Sequence, residues 1–159
     1  DMARELWETI PEIFDEEGYL LTGDMGYLDR EGYVYLSGRK KNVIVTGGGK
    51  NVFPEEIEDK FQLYDEIEQI MIQGFISDEK AGTEDIMALI YPSEDYFKEH
   101  FEARNMEFDK KMVNDHIEEI IAKVNEHLPA YKKIKNIEIM DEPLEMTSTK
   151  KIKRFKVNK

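Results

Sequence analysis

The chain has 159 residues, 40% of them hydrophobic, a formal net charge of −13 and no cysteine. That length holds one cored domain with a remnant of another; the acidity argues against a general nucleic-acid binder, and the missing cysteines exclude disulfides, thiolate metal sites and a cysteine nucleophile. No apolar run approaches the roughly 18 residues of a membrane span, and the opening DMARELWETI lacks the basic and apolar regions of a signal peptide, so the cytoplasm is the expected compartment.

The segment MARELWETIPEIF has helical spacing interrupted by Pro11 and runs into DEEGY, where Gly18 favours a turn. Two extended runs, GYLLT and YVYLSG, flank the turn residues LDREG and predict a β-hairpin. Such a hairpin is marginal alone and is expected to join a sheet whose other strands lie elsewhere. Beyond Lys41, NVIVTG reads as a strand, GGGK as a turn and NVF as a second strand. Pro54 then opens the helix PEEIEDKFQLY, with Glu55 and Glu56 in its first turn. IEQIMIQGFI and EDIMALIYP predict neighbouring strands joined by SDEKAGT. From Asp109 to Leu128, Met112, Val113, Ile117, Ile120, Ile121, Val124 and Leu128 recur at helical spacing and predict a core-facing helix. A last strand, IKNIEIM, leads into the loop DEPLEMTST and the basic end KKIKRFKVNK. The order gives an α+β fold: a short β-hairpin and a roughly three-stranded sheet flanked by helices.

Four short motifs carry chemistry. Thr22-Gly23-Asp24-Met25-Gly26 sets a carboxylate between two glycines, and a carboxylate accepts two hydroxyl hydrogen bonds. Fifteen residues later, Arg39 in SGRKK offers a planar, permanently charged donor for ribose or phosphate oxygens. Taken singly, a Gly-Asp turn and a surface arginine are usually structural; their order and spacing give them weight. Gly47-Gly48-Gly49-Lys50 is not a P-loop, because that pattern needs glycine at position 44 and Ser or Thr at position 51, where Ile44 and Asn51 stand. A plain flexible turn between strands is its alternative. Thr147-Ser148-Thr149-Lys150-Lys151-Ile152-Lys153-Arg154 ends the series with a Thr-rich loop and clustered cations. His100, His116 and His127 show no metal-ligand spacing, so no metal site is expected.

Together these motifs resemble the end of the large domain, the hinge and the small domain of the adenylate-forming superfamily of acyl-CoA synthetases. The run SGRKKNVIVTGGGKNVFPEEIE with STKKIKR looks most like bacterial long-chain fatty-acid–CoA ligases. The resemblance implies residues 1–40 as the end of a large adenylation domain and 41–159 as a mobile C-terminal domain. It implies that Asp24 and Arg39 bind the nucleotide, that Lys41 is the hinge, and that Gly48, Gly49 and Lys50 lie beside coenzyme A. Lys151 falls on the catalytic lysine, which neutralises charge as the carboxylate attacks the α-phosphate. Glycine is usual where Lys150 stands, so the register between Lys150 and Lys151 is open by one; the spacing to Ile152 and Arg154 favours Lys151.

The implied substrates are ATP, a carboxylic acid and coenzyme A, with Mg2+ held by the large domain. The implied partner is the chain's own large domain, and the isolated segment is expected to lack ligase activity. Two alternatives stand beside this reading. One is a non-catalytic module whose basic tail docks on a partner or contacts a membrane peripherally; the other is a small nucleotide-binding protein relying on Asp24 and Arg39 alone.

Overall fold

The computed structural model describes residues 13–78, 83–107, 109–149 and 151–154. The chain divides into two compact units between Asn42 and Val43. The expected N-terminal helix lies outside the described residues except for Ile13 and Phe14, and so do Lys150 and residues 155–159 of the basic tail.

In the first unit, β1 (Asp24–Leu28) pairs antiparallel with β2 (Val34–Arg39). The hairpin was expected, but its first strand is DMGYL rather than GYLLT. The turn decides this. The Asp29 carboxylate accepts from the Glu31 and Tyr33 N–H groups at 3.0 and 2.8 Å, which sets Leu28 opposite Val34 and moves the pairing past Leu21. A β-carbon on Gly26 would stand 2.4 Å from the Tyr35 carbonyl oxygen, so only glycine fits at the irregularity between Met25 and Gly26. Tyr27 and Tyr35 stack with centroids 5.2 Å apart. The large side chains from Tyr27 to Leu36 are exposed, which fits a hairpin whose apolar faces need cover.

The second unit is an α+β layer pair, as expected, but its sheet has five strands rather than about three. A short hairpin, β3 (Ile44–Thr46) and β4 (Lys50–Val52), and a final strand join the two long ones, β5 (Ile67–Asp78) and β6 (Thr83–Pro92). β5 pairs antiparallel along β6, leaving the other side of β6 to β3 and to β7 (Ile134–Ile139), both parallel to it. Among the described strands β5 therefore lies at an edge.

Alternation along these strands sorts the two faces. Ile72, Ile86, Ala88 and Ile90 bury against α1 (Pro54–Glu58), α2 (Glu94–Ala103) and α3 (Lys110–Glu126) through Ile57, Phe97, Phe101, Val113, Ile117 and Ile121. Met71 and Leu89 point the other way and are covered by Leu144, Met140 and Ile152. Pro54 starts α1, whose helical run is shorter than expected and passes into a 3-10 turn at Asp59–Phe61. Ser93 caps α2 by accepting from the Tyr96 N–H, and Asp109 caps α3 by accepting from Lys111. Asn125 of α3 bonds both backbone groups of Ile134, at 2.9 and 2.8 Å, and so fixes where β7 begins.

Ile117 is fully buried at the centre of the main core. Ile117→Ala is expected to lower unfolding free energy by about 3 kcal/mol in denaturant titration. A loss under about 1 kcal/mol would mean that the helix face is not packed as described.

Candidate functional site

The hairpin register sets Asp24 and Arg39 directly opposite each other, at the open end of β1 and β2. Arg39 Nε lies 2.8 Å from Asp24 Oδ1, and Arg39 Nη1 donates to the Thr22 carbonyl at 3.1 Å. The two sequence-predicted nucleotide residues are thus brought together. The arginine orients the carboxylate while both remain open to a ligand, with side chains 34% and 49% exposed for Asp24 and Arg39. Gly23, at φ +76°, makes the sharp bend before Asp24, and its carbonyl accepts from Lys40 N–H at 2.8 Å. Lys41 sits exposed in a 3-10 turn, Lys40–Asn42.

The glycine run forms the three-residue tip between β3 and β4. Gly49 N–H donates to the Thr46 carbonyl at 2.9 Å, and Thr46 Oγ1 donates to the Lys50 carbonyl at 3.2 Å. Gly48 and Gly49 take φ of +97° and +71°, so a side chain there is strained although the surrounding space is empty. That combination leaves backbone open for close approach of a ligand. Glu84 supports the hairpin: its Oε2 accepts from the Val45 N–H at 3.1 Å, and its carboxylate lies within 2.7–2.9 Å of where a β-carbon on Gly74 would stand. Sequence reasoning did not single out Glu84, because a strand glycine gives no hint of which side chain will cross it.

Beside the tip opens a cleft of about 300 Å³, whose walls include Gly47, Asp85, Tyr131, Lys133 and Lys135. Lys135 forms an ion pair with Asp85, whereas Lys133 has no ion-pair partner among the described residues. These residues were also missed. The available signal was the alternation of Lys133 and Lys135 around buried Ile134, which puts both cations on one side of an extended segment.

Lys151 is exposed on a tight hairpin closed by the Met146–Ile152 bridge. Thr147 N–H donates to the Lys151 carbonyl at 2.7 Å, and Lys151 N–H donates to Thr147 Oγ1 at 3.1 Å. The Lys151 side chain has no hydrogen bond or ion pair among the described residues. Its neighbours are committed elsewhere. Lys153 pairs with Glu145, and Arg154 Nη2 contacts both Glu58 oxygens, at 2.7 and 2.6 Å. Arg154 Nη1 also donates to the Ile72 carbonyl at 2.7 Å, while Glu58 Oε1 accepts from the Ile72 N–H at 2.7 Å. Burial pushes the Glu58 carboxyl above the ordinary carboxylate range, against the charge and hydrogen bond of Arg154, which pull it down.

No group of three or more His, Asp or Glu residues among those described is arranged to hold a metal ion. No helix among them is long and apolar enough to cross a membrane.

No family model matches the chain. Over 58 residues it is 43% identical to a long-chain-fatty-acid–CoA ligase of Bacillus subtilis, covering 36% of this chain and 10% of that protein. Over 72 residues it is 42% identical to a 2-succinylbenzoate–CoA ligase of Oceanobacillus iheyensis, covering 45% and 15%. Among solved structures, an anthranilate CoA ligase in complex with anthranoyl-AMP superposes with a TM-score of 0.68 at 26% identity, over 95% of this chain and 26% of that one. The o-succinylbenzoate coenzyme A synthetase of Bacillus subtilis, in complex with ATP and magnesium ion, superposes at 0.65 and 22% identity, over 96% and 27%. In sequence and in fold the chain is similar to the C-terminal part of adenylate-forming enzymes. It spans only 10% and 15% of the two curated relatives.

Arg154 holds down the titration of Glu58, and the sign of its removal follows. Without Arg154, the folded-state carboxyl climbs further above its unfolded value, so the stability it contributes is present below the unfolded pKa of about 4.3 and lost as pH rises through the folded one. Arg154→Ala is expected to cost little at pH 4 and about 2–3 kcal/mol at pH 7.5 in paired thermal or denaturant melts. A loss independent of pH would show that Arg154 contributes through packing alone.

Proposed function

We propose that this chain forms the hinge-proximal and C-terminal part of an AMP-forming acid–thiol ligase, acting on a carboxylic acid, ATP and coenzyme A. A carboxylate oxygen attacks the α-phosphorus of ATP, the bond to pyrophosphate breaks, and acyl-AMP results. The coenzyme A sulfur then attacks the acyl carbon, giving up its proton, and AMP leaves with the electron pair of the broken bond. The long-chain fatty acid is the finer part of this proposal, supported by the name of the Bacillus subtilis relative.

The observation that carries the reading is the exposed hairpin that offers Lys151. In the first step negative charge builds between acid and phosphate, and an ammonium brought there on a short loop lowers its energy. Asp24, oriented by Arg39, has the chemistry to accept the two ribose hydroxyls of ATP. Magnesium enters with ATP, whose phosphate charge it neutralises when bound, and its ligands are expected in the remainder of a longer protein. Lys41 is proposed as the pivot: it is exposed in a short turn close to the boundary between the two compact units, where few dihedrals need change. The other partner is then a large domain of the same protein, which would also cover the apolar hairpin.

Lys151→Ala in the intact ligase is expected to slow acyl-AMP formation by about 100-fold or more while sparing thioester formation from supplied acyl-AMP. Measuring the two half-reactions separately checks it; equal losses in both would remove Lys151 from the first step.

The turn at Gly48, Gly49 and Lys50 is assigned to the thiol side, and the adjoining cleft to the nucleotide end of coenzyme A. Gly47 belongs to both. Lys133 has the charge for a phosphate, and the half-exposed Tyr131 ring has a face for a base. Lys133→Ala is therefore expected to raise the KM for coenzyme A about tenfold and to leave that for pantetheine, which lacks the nucleotide, unchanged. Steady-state kinetics with both thiols distinguishes this from a general defect, which would raise both.

A further inference from the structure

We propose that Arg154 is a positioning residue for Lys151: its guanidinium fixes the base of the lysine hairpin to α1 and β5, and so sets where the ammonium is delivered. The inference rests on the reading of Lys151 as the adenylation lysine.

The hairpin has no strand of its own to hold it. Its arms meet through the Met146–Ile152 bridge and the Lys153 N–H bond to the Glu145 carbonyl at 2.8 Å. One side chain at the base, Ile152, rests on the small apolar patch of Met71, Leu89 and Leu144. An apolar contact of that kind limits distance and leaves rotation open, because it has no direction. On the incoming arm the Leu144 N–H donates to the buried Gln69 Oε1 at 2.6 Å; on the arm that carries Lys151, Arg154 supplies the direction. Three donor contacts converge from one rigid fork, two on Glu58 and one on the Ile72 carbonyl, and Glu58 closes the ring by accepting from the Ile72 N–H. The Glu58 and Arg154 side chains are only 19% and 25% exposed, so water competes weakly for these bonds. Ile72 lies in the long edge strand that β6 braces, which makes it a fixed reference within the domain. Lys151 stands three residues from that fixed point, and a displacement of about 1 Å at a charge-stabilising group costs catalysis heavily.

Lysine at position 154 retains charge and lacks the fork, so it cannot serve the Glu58 carboxylate and the Ile72 carbonyl in the same planar geometry. The test measures both half-reactions of the intact ligase for Lys151→Ala, Arg154→Ala, Arg154→Lys and the Lys151→Ala/Arg154→Ala double variant. Arg154→Ala is expected to slow acyl-AMP formation about tenfold and to leave thioester formation from supplied acyl-AMP unchanged. Arg154→Lys should recover only part of that loss. In the Lys151→Ala background, Arg154→Ala should cost less than about twofold, since it acts through the ammonium already removed. Additive losses, or equal slowing of both half-reactions, would overturn the proposal. If Lys151→Ala itself affects both steps equally, the parent reading fails instead, and the two failures are told apart by that single variant. Should Arg154→Ala not fold, Glu58→Gln keeps an acceptor for the Ile72 N–H and loosens Arg154; the same asymmetry between steps supports the proposal, and its absence overturns it.

Discussion

The second unit is organised around an unpaired strand edge. Among the described residues β5 has β6 on one side only, and at Ile72 its outward N–H and C=O would otherwise face the surface as a pairing template. Glu58 takes the N–H, Arg154 takes the carbonyl, and the two side chains hold each other. Residues from α1, the edge strand and the final loop, far apart in sequence, become one rigid cluster. Removing Arg154 leaves the Glu58 carboxylate desolvated without its main partner, which is why one ion pair has consequences beyond its modest intrinsic strength.

β6 distributes the remaining parts. Its first residues meet β3 at Glu84, where the glycine hairpin is supported, and its later residues pair with β7, which carries the cationic cleft wall. The opposite face of the same sheet receives the segment that leads to Lys151. The glycine tip and the lysine hairpin are thereby attached to one sheet through separate supports. Under the proposed function, such a body would present one loop or the other as it turns, without internal rearrangement, which is the mechanical sense of proposing them for different half-reactions.

Much of this was legible in the residues. The helix Lys110–Glu126 followed from its apolar stripe, although Met112, read as core-facing, is exposed in its first turn, and the helix start at Pro54 followed from the fixed proline φ and the acids behind it. The strand pair of Ile67 to Pro92 followed from β-branched runs. Asp24 and Arg39 were paired by motif spacing, and their contact across the hairpin is a matter of register. The first strand was misplaced by several residues because GYLLT and DMGYL are similarly apolar, and only the Asp29 turn distinguishes which of them meets β2. The five-stranded sheet exceeded the expectation because three-residue strands such as β3 and β4 carry too little pattern to be assigned to a sheet without their neighbours.

What the sequence by itself determined is local: periodicity for helices and long strands, glycine for positive φ at Gly48 and Gly49, and the chemical character of Asp24, Arg39 and Lys151. Those depend on each residue and its immediate neighbours. The tertiary structure alone decided which cations are free to act and which are consumed. Lys151, Lys153 and Arg154 are close in sequence and alike in charge, yet Arg154 is partly buried against Glu58, Lys153 pairs with Glu145, and Lys151 is turned outward. The difference arises from desolvation and pairing, and those are set by residues that only folding brings near.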